Sequence, residues 1–224
     1  NRENIEQMVP NFTNPYYQDQ SVKDEISGFA KATYRIGDFS ILADIQTRYV
    51  TLEMIPDTDF LGVDRSIPTY DWTFINPKIG VTYEINTTLN TYASFGRSGR
   101  EPTRSNYLGD TQINLGNIDS LQNQDLVQPE YVKDFEAGLR YNTRTAKINF
   151  NAFYMDFENE IAPIGEFIPQ YFIQLYENQE ASFRRGVEFD WQITPVENLQ
   201  IIGNVTYMQS IISEYRPEGS HEVF

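Results

Sequence analysis

Residues 187–193 read VEFDWQI, and this heptapeptide carries the fold in miniature. Side chains alternate with period 2 along an extended chain. Val187, Phe189, Trp191 and Ile193 therefore share one face, and Glu188, Asp190 and Gln192 share the other. The same alternation recurs at 39–46 (FSILADIQ), 77–85 (PKIGVTYEI), 134–141 (DFEAGLRY), 146–154 (AKINFNAFY) and 199–207 (LQIIGNVTY). It is looser at 26–36 and 89–97. Eight strands are predicted, at roughly 20–36, 39–54, 73–85, 89–98, 131–142, 146–158, 183–194 and 199–212.

The connections sort into two kinds. Four are tight: Gly37-Asp38, Asn86-Thr87-Thr88, Asn142 to Thr145, and Thr194 to Asn198. Each joins two alternating runs by about 2–5 residues, as hairpins do. The segments 1–18, 55–71, 98–130, 158–182 and 213–224 read as long and irregular. Short and long connections alternate, so all tight turns lie at one end of the strands and all long loops at the other. Runs of about 10–14 residues exceed the ~5–6 of a soluble sandwich and suit a tilted strand crossing a bilayer. Charged or amide groups stand opposite the apolar face on nearly every strand. A water-filled lumen accepts them where a two-sided core would reject them. The class expected is an all-β transmembrane antiparallel β-barrel, with a girdle drawn from Tyr34, Tyr49, Tyr83, Phe95, Tyr141, Tyr154, Trp191 and Tyr207. A soluble β-sandwich binding module is the competing fold. Both ends of the chain fall in long-loop segments, so the stretch is expected to belong to a larger barrel, with its edge strands unpaired by themselves.

Composition removes other classes. There are 17 Lys and Arg against 32 Asp and Glu, a formal charge of −15, which argues against nucleic acid as a partner. Cysteine is absent and His221 is the one histidine, so disulfides and Cys/His zinc sites are excluded. A hydrolase triad would need His221 folded back from a Glu-rich tail, and no G-x-S-x-G stretch accompanies it. No enzyme activity and no cofactor are expected. No apolar run approaches the ~18–20 residues of a membrane helix, and a signal peptide is absent or already removed. The sequons at Asn11, Asn86 and Asn204 are taken as chance, and the terminal Phe224 follows no alternating run.

Several segments, in order, resemble the C-terminal barrel of TonB-dependent outer-membrane receptors in their Bacteroidetes form. They are ADIQTRYV (43–50), FINPKIGVTYEI (74–85), YASFGRSGREPTRSNY (92–107), QPEYVKDFEAGLRY (128–141), FNAFYMDFENEIAP (150–163) and SFRRGVEFDWQI (182–193). The resemblance implies a 22-stranded barrel, of which these would be eight consecutive strands. The family's plug domain and TonB box are not in this stretch. It also implies energised import of a scarce, bulky nutrient in a Gram-negative outer membrane, closest to an iron-siderophore or other iron complex. SusC-like glycan import, vitamin B12 and peptides stand as alternatives. The implied partners are TonB-ExbB-ExbD acting through the plug, outer-membrane lipid and lipopolysaccharide, and in the glycan case a surface lipoprotein.

Candidate binding residues follow from chemistry. Arg97, Arg100 and Arg104 form the one local basic cluster and could hold an anionic ferric chelate at the mouth. The reading favoured, also by the resemblance, is that they anchor their loop to lumen carboxylates such as Glu136 or Glu188. Tyr70, Trp72, Tyr107 and Tyr171, with Tyr16, Tyr17 and Phe172, could grip a flat ligand or simply pack their own loops. Arg48, Lys78, Glu84, Glu136, Arg140, Glu188 and Asp190 fall on the predicted lumen face and are expected to meet the plug. Asp57, Asp59 and Asp64 are loosely spaced for Ca²⁺, but lack the glycine and glutamate of an EF-hand and read better as a solvated acidic loop.

Overall fold

The computed structural model describes residues 20–56, 66–108, 113, 118–121, 127–168 and 173–213. Tyr16, Tyr17, Tyr171, Phe172, the acidic stretch 57–64, the Asn11 sequon, His221 and Phe224 lie outside the described residues.

Eight strands form one antiparallel sheet in simple sequence order. They are β1 (Gln20–Ile36), β2 (Phe39–Ile55), β3 (Tyr70–Glu84), β4 (Leu89–Arg100), β5 (Glu130–Asn142), β6 (Ala146–Ile168), β7 (Ile173–Val196) and β8 (Leu199–Ser213). Two short helices, α1 (Arg104–Leu108) and α2 (Ile118–Leu121), lie between β4 and β5. No described helix is long and apolar enough to cross a membrane. No second sheet packs on this one among the described residues, so the sandwich alternative finds no support.

The tight turns are built by the residues that make them affordable. Gly37 takes φ +55° in the β1–β2 turn, and Asn198 takes φ +67° in the β7–β8 turn. In the β3–β4 turn, Asn86 Oδ1 accepts the N–H groups of Thr88 (2.9 Å) and Leu89 (3.0 Å). In the β5–β6 turn, Thr143 Oγ1 accepts the Ala146 N–H at 3.0 Å.

The register fixes which side chains share a face. Outward stand Phe39, Ile41, Ile45, Tyr49, Ile75, Ile79, Val81, Tyr83, Phe135, Leu139, Phe150, Tyr154, Val187, Phe189 and Ile193, all exposed. Monomeric soluble proteins rarely bare more than a few hundred Å² of contiguous apolar surface, so this face requires lipid. From Phe39 to Tyr49 a strand rises about 33 Å, and a tilt near 45° reduces that to about 23 Å, close to the ~25 Å of an apolar barrel band. Aromatic residues bound it. Phe39 and Tyr83 rings lie 4.7 Å apart near the turns, and Tyr49 stands at the loop end, whereas Phe95 and Phe135, 4.8 Å apart, lie level with Ile79 in mid-band, so Phe95 falls outside the girdle. Tyr207 pairs with Val187 in mid-band, which removes it from the girdle.

The hairpin β6–β7 corrects one expectation. Residues 158–182 read as an irregular loop, yet the strands continue paired to Ile168 and Ile173. Pro163 and Gly165 break the side-chain alternation, but backbone pairing survives through a register shift between Pro163 and Phe167. Asn159, at φ +56°, adds a local twist. Other boundaries move by three residues or fewer, β3 starting at Tyr70 rather than 73.

A cation placed on the two faces should behave differently. Ile79→Arg, in mid-band on the outside, is expected to destabilise the membrane-embedded protein by about 2–4 kcal/mol, whereas Thr82→Arg, facing inward, should cost far less. Equilibrium unfolding in lipid vesicles measures both, and equal penalties would refute the assignment of faces.

Candidate functional site

The inner face carries a polar ladder. Across β2–β3, Asp44 stands opposite Lys78, and Asn76 donates to Gln46 Oε1 at 3.3 Å. Across β4–β5, Ser94 donates to Glu136 at 3.2 Å, and the Arg140 guanidinium lies 3.8 Å from the centre of the Tyr92 ring. Tyr92 in turn donates to Asn151 at 2.9 Å. It can cross the sheet there because position 138 is glycine: a Cβ would meet the Tyr92 hydroxyl at 2.6 Å and Phe150 O at 2.3 Å. On β6–β7, Asn149 donates to Asp190 at 3.2 Å. Glu84 and Glu188 project from the same face by register. The structure thus sets Lys78, Glu84, Glu136, Arg140, Glu188 and Asp190 on one inward wall, and a hollow of about 620 Å³ opens on it beside Arg140, Lys147, Asn149 and Asp190.

Nearer the loops the inner face changes character. Val50, Leu52 and Met54 continue the inward positions of β2, and Tyr70, Trp72 and Phe74 those of β3. All are apolar or aromatic, and all but Trp72 are buried. Those nearest the loops are covered by α1, α2 and Ile113: Leu52, Met54, Ile67 and Tyr70 cluster with Leu108, Ile113, Ile118 and Leu121. Burying each such side chain is worth about 1.5–3 kcal/mol. The Tyr70 ring stacks on Tyr107 at 4.9 Å and faces Trp72 at 6.0 Å. Its hydroxyl donates to Leu121 O, and that of Tyr107 donates to Val127 O at 3.2 Å. Tyr70, only 1% exposed, therefore pins α2 to the wall and has no face left for a ligand.

The stretch RSGREPTR (97–104) is where the descent into the mouth begins. The Glu101 side chain, 4% exposed, meets the Lys23 ammonium from β1 and an Arg48 nitrogen from β2 at 3.4 Å. Arg48 also donates to Glu25 at 2.8 and 3.0 Å. Asn76 Oδ1 accepts the Gly99 N–H at 3.0 Å, bridging β3 to β4 above their last paired residues. The arginines go elsewhere. Arg100 pairs with Glu130 at 3.0 Å rather than with Glu136 or Glu188. Arg97 stands opposite Lys133 on the face of Phe95 and Phe135, 4.1 Å from the Tyr131 ring centre. Arg104 is half-buried in α1. The three basic residues are thus dispersed, and the acidic residue between them is the anchor.

At the other end of the connection, Asn178 on β7 holds Gln128 by a pair of hydrogen bonds. Its Oδ1 accepts the Gln128 N–H at 2.6 Å and its Nδ2 donates to Gln128 O at 2.9 Å. Glu130 Oε2 accepts the Ile161 N–H at 2.9 Å. Sequence reasoning missed Lys23, Glu25, Asn76, Glu130 and Asn178. The inward apolar positions 50, 52, 54, 70, 72 and 74 were a signal that something covers that part of the wall.

An inward polar wall, an outward lipid band and a mouth narrowed by seated helices form the geometry of an outer-membrane pore wall. The family model described as "TonB dependent receptor-like, beta-barrel" matches residues 2–221. The chain belongs to that family. Among solved structures, "Copper transporter OprC" superposes with a TM-score of 0.70 at 14% identity, over 89% of this chain and 30% of that one. "The FrpB iron transporter from Neisseria meningitidis (F3-3 variant)" gives 0.59 at 18%, over 89% and 28%. The alcaligin outer-membrane receptor FauA from Bordetella pertussis gives 0.62 at 15%, over 90% and 32%. The chain thus spans about 30% of the length of these structural relatives. No curated protein sequence matches it. As a TonB-dependent receptor barrel segment it is a Gram-negative outer-membrane protein of a receptor family, not an enzyme.

The seated helices carry a pH signature. Burial pushes the Tyr107 phenol well above its ordinary value of 10.0, and its neutral hydroxyl is the donor to Val127. A raised value means that the unfolded chain releases this proton first. The stabilisation is therefore complete below pH 10.0 and declines as pH rises beyond it. Hydrogen exchange at α1 and α2 is expected to accelerate above that pH beyond the intrinsic rise, and Tyr107→Phe should reduce this extra alkaline dependence, leaving the part due to the Tyr70 hydroxyl on Leu121 O. An unchanged alkaline profile in that variant would overturn the assignment.

Proposed function

We propose that this segment forms part of the wall of a TonB-dependent importer for a scarce, bulky nutrient, foremost an iron-siderophore or other iron complex. The observation that carries the proposal is the polar inward wall on a family barrel whose mouth is narrowed by a seated connection. Such a wall suits a large hydrophilic guest held inside the barrel, and the structural relatives bear the names of iron, alcaligin and copper transporters or receptors. The completed receptor in this proposal has 22 strands and a plug inside them, pulled by TonB-ExbB-ExbD. Lys78, Glu84, Glu136, Arg140, Glu188 and Asp190 are its contacts to that plug. Arg48, committed to Glu25 and Glu101, serves the wall instead. Outer-leaflet lipopolysaccharide meets the outward face at its loop end.

Cargo contact is proposed at the rim, with Arg100, Arg104, Trp72 and, on the β6–β7 connection, Tyr171. Tyr70 and Tyr107 support that rim from beneath. Glycan import with a surface lipoprotein, and vitamin B12 or peptide import, are the outcomes against which the test discriminates.

The test is uptake of radioactive iron, offered as a panel of chelates under iron limitation, by cells with and without the intact receptor. Loss of uptake of one chelate class, reproduced by removing TonB, is expected. Unchanged uptake of every chelate with lost growth on a glycan would move the assignment to glycan import. Within the receptor, Glu136→Gln combined with Glu188→Gln is expected to lower uptake several-fold while leaving cargo binding at the cell surface intact. Equal loss of both would place these residues in the binding site rather than against the plug.

A further inference from the structure

We infer that Glu101 is a positioning residue, the latch that keeps α1 and α2 seated inside the mouth as a fixed part of the wall. This rests on the barrel reading but not on what the barrel imports. Three observations converge on it.

The helices sit on the inner face. Leu52, Met54 and Tyr70 occupy the same alternation positions that, further down the strands, carry Asp44, Gln46 and Lys78. Their burial under Leu108, Ile113, Ile118 and Leu121 therefore places the seated segment within the lumen. The chain must turn inward immediately after β4, and Glu101 is the first residue beyond it. Its carboxylate is buried between cations from two other strands, Lys23 and Arg48, and Arg48 is itself oriented by Glu25. A buried carboxylate held by two cations is far more stable than one stripped of them, so the turn has a strong preference for the seated position.

The far end of the connection is held independently. Asn178 closes its amide on the backbone of Gln128 and also donates to Asn159 O at 2.8 Å. Tyr107 adds its bond to Val127 from within. With both ends fastened and an apolar cluster between, the helices are built as a stationary partition.

Latches of this kind report themselves by exposing what they cover. Met54→Cys places a thiol beneath the seated helices, 1% exposed in the native chain. In intact cells carrying the full receptor, that thiol should resist both a small maleimide and a polymer-linked maleimide. Adding Glu101→Gln should raise labelling by the small reagent at least about tenfold, the change given by about 1.4 kcal/mol of lost seating preference. Arg48→Met should act in the same direction, and the two together should cost less than the sum of the singles, because the Glu101–Arg48 contact is shared while those to Lys23 and Glu25 are not. Glu101→Asp keeps the charge and should restore protection in large part, a rescue that mere repacking would not provide. Heat-modifiable migration of each variant checks that the barrel is intact. Should Glu101→Gln misfold, Arg48→Lys and Lys23→Met carry the same comparison.

Unchanged labelling in folded Glu101 and Arg48 variants would overturn the latch and leave the import proposal standing. Exposure of the thiol in a receptor whose removal leaves all iron uptake intact would support the latch and defeat the iron reading.

Discussion

Each strand of this sheet separates two solvents. Hydrocarbon offers no partner to a backbone N–H or C=O, so every such group in the band must pair with the neighbouring strand. The sequence-order pairing from β1 to β8 meets that demand over the paired stretches, with register shifts only near the ends of β6–β7 and β7–β8 and with β3 leaving β4 above Lys78. Once the backbone is paired, period-2 geometry leaves one face for lipid and the other for water. The outward Ile79 and inward Lys78 are adjacent in sequence and live in different media.

Polar ladders and apolar caps divide the inner face by height. Towards the tight turns, Tyr92 bonds Asn151 and Asn149 bonds Asp190 across strands, which ties polar side chains of the wall to one another. Towards the loops, the same face turns to Leu52, Met54 and Tyr70, and α1 and α2 close over them. Glu101 stands at the boundary. Its charge is tolerable out of water only because Lys23 and Arg48 converge on it. The alternation rule and the buried ion cluster are thus linked: strands β1 and β2 supply cations at inward positions, and the chain leaving β4 brings the anion to them.

The aromatic residues divide by the same logic. Those on the outward face, such as Tyr83 and Tyr154, stay exposed to the lipid interface. Those at inward positions near the mouth become structural: Tyr70 lies between Trp72 and Tyr107, and its hydroxyl holds a helix backbone. Composition could count the tyrosines, but their roles depend on which side of a strand each one occupies and at what height.

Strand number, strand order, the segregation of tight turns from long connections and the two-faced character of the wall were legible in the sequence by itself. The physical reason is that lipid and water impose a strictly local pattern of period 2, repeated at every crossing. The continuation of β6–β7 beyond residue 158 was not legible, because Pro163 and Gly165 erase the pattern while backbone pairing persists without it. The fate of the arginine cluster was also decided by tertiary structure. Arg97, Arg100 and Arg104 read as one cluster, for a ligand or for anchoring a loop, yet Arg97 lies over the Tyr131 ring and Arg100 is taken by Glu130, while Glu101 is the residue enclosed. That outcome depends on residues 53 and 78 positions away, Arg48 and Lys23, being brought together by strand pairing. No local pattern of charge encodes that meeting.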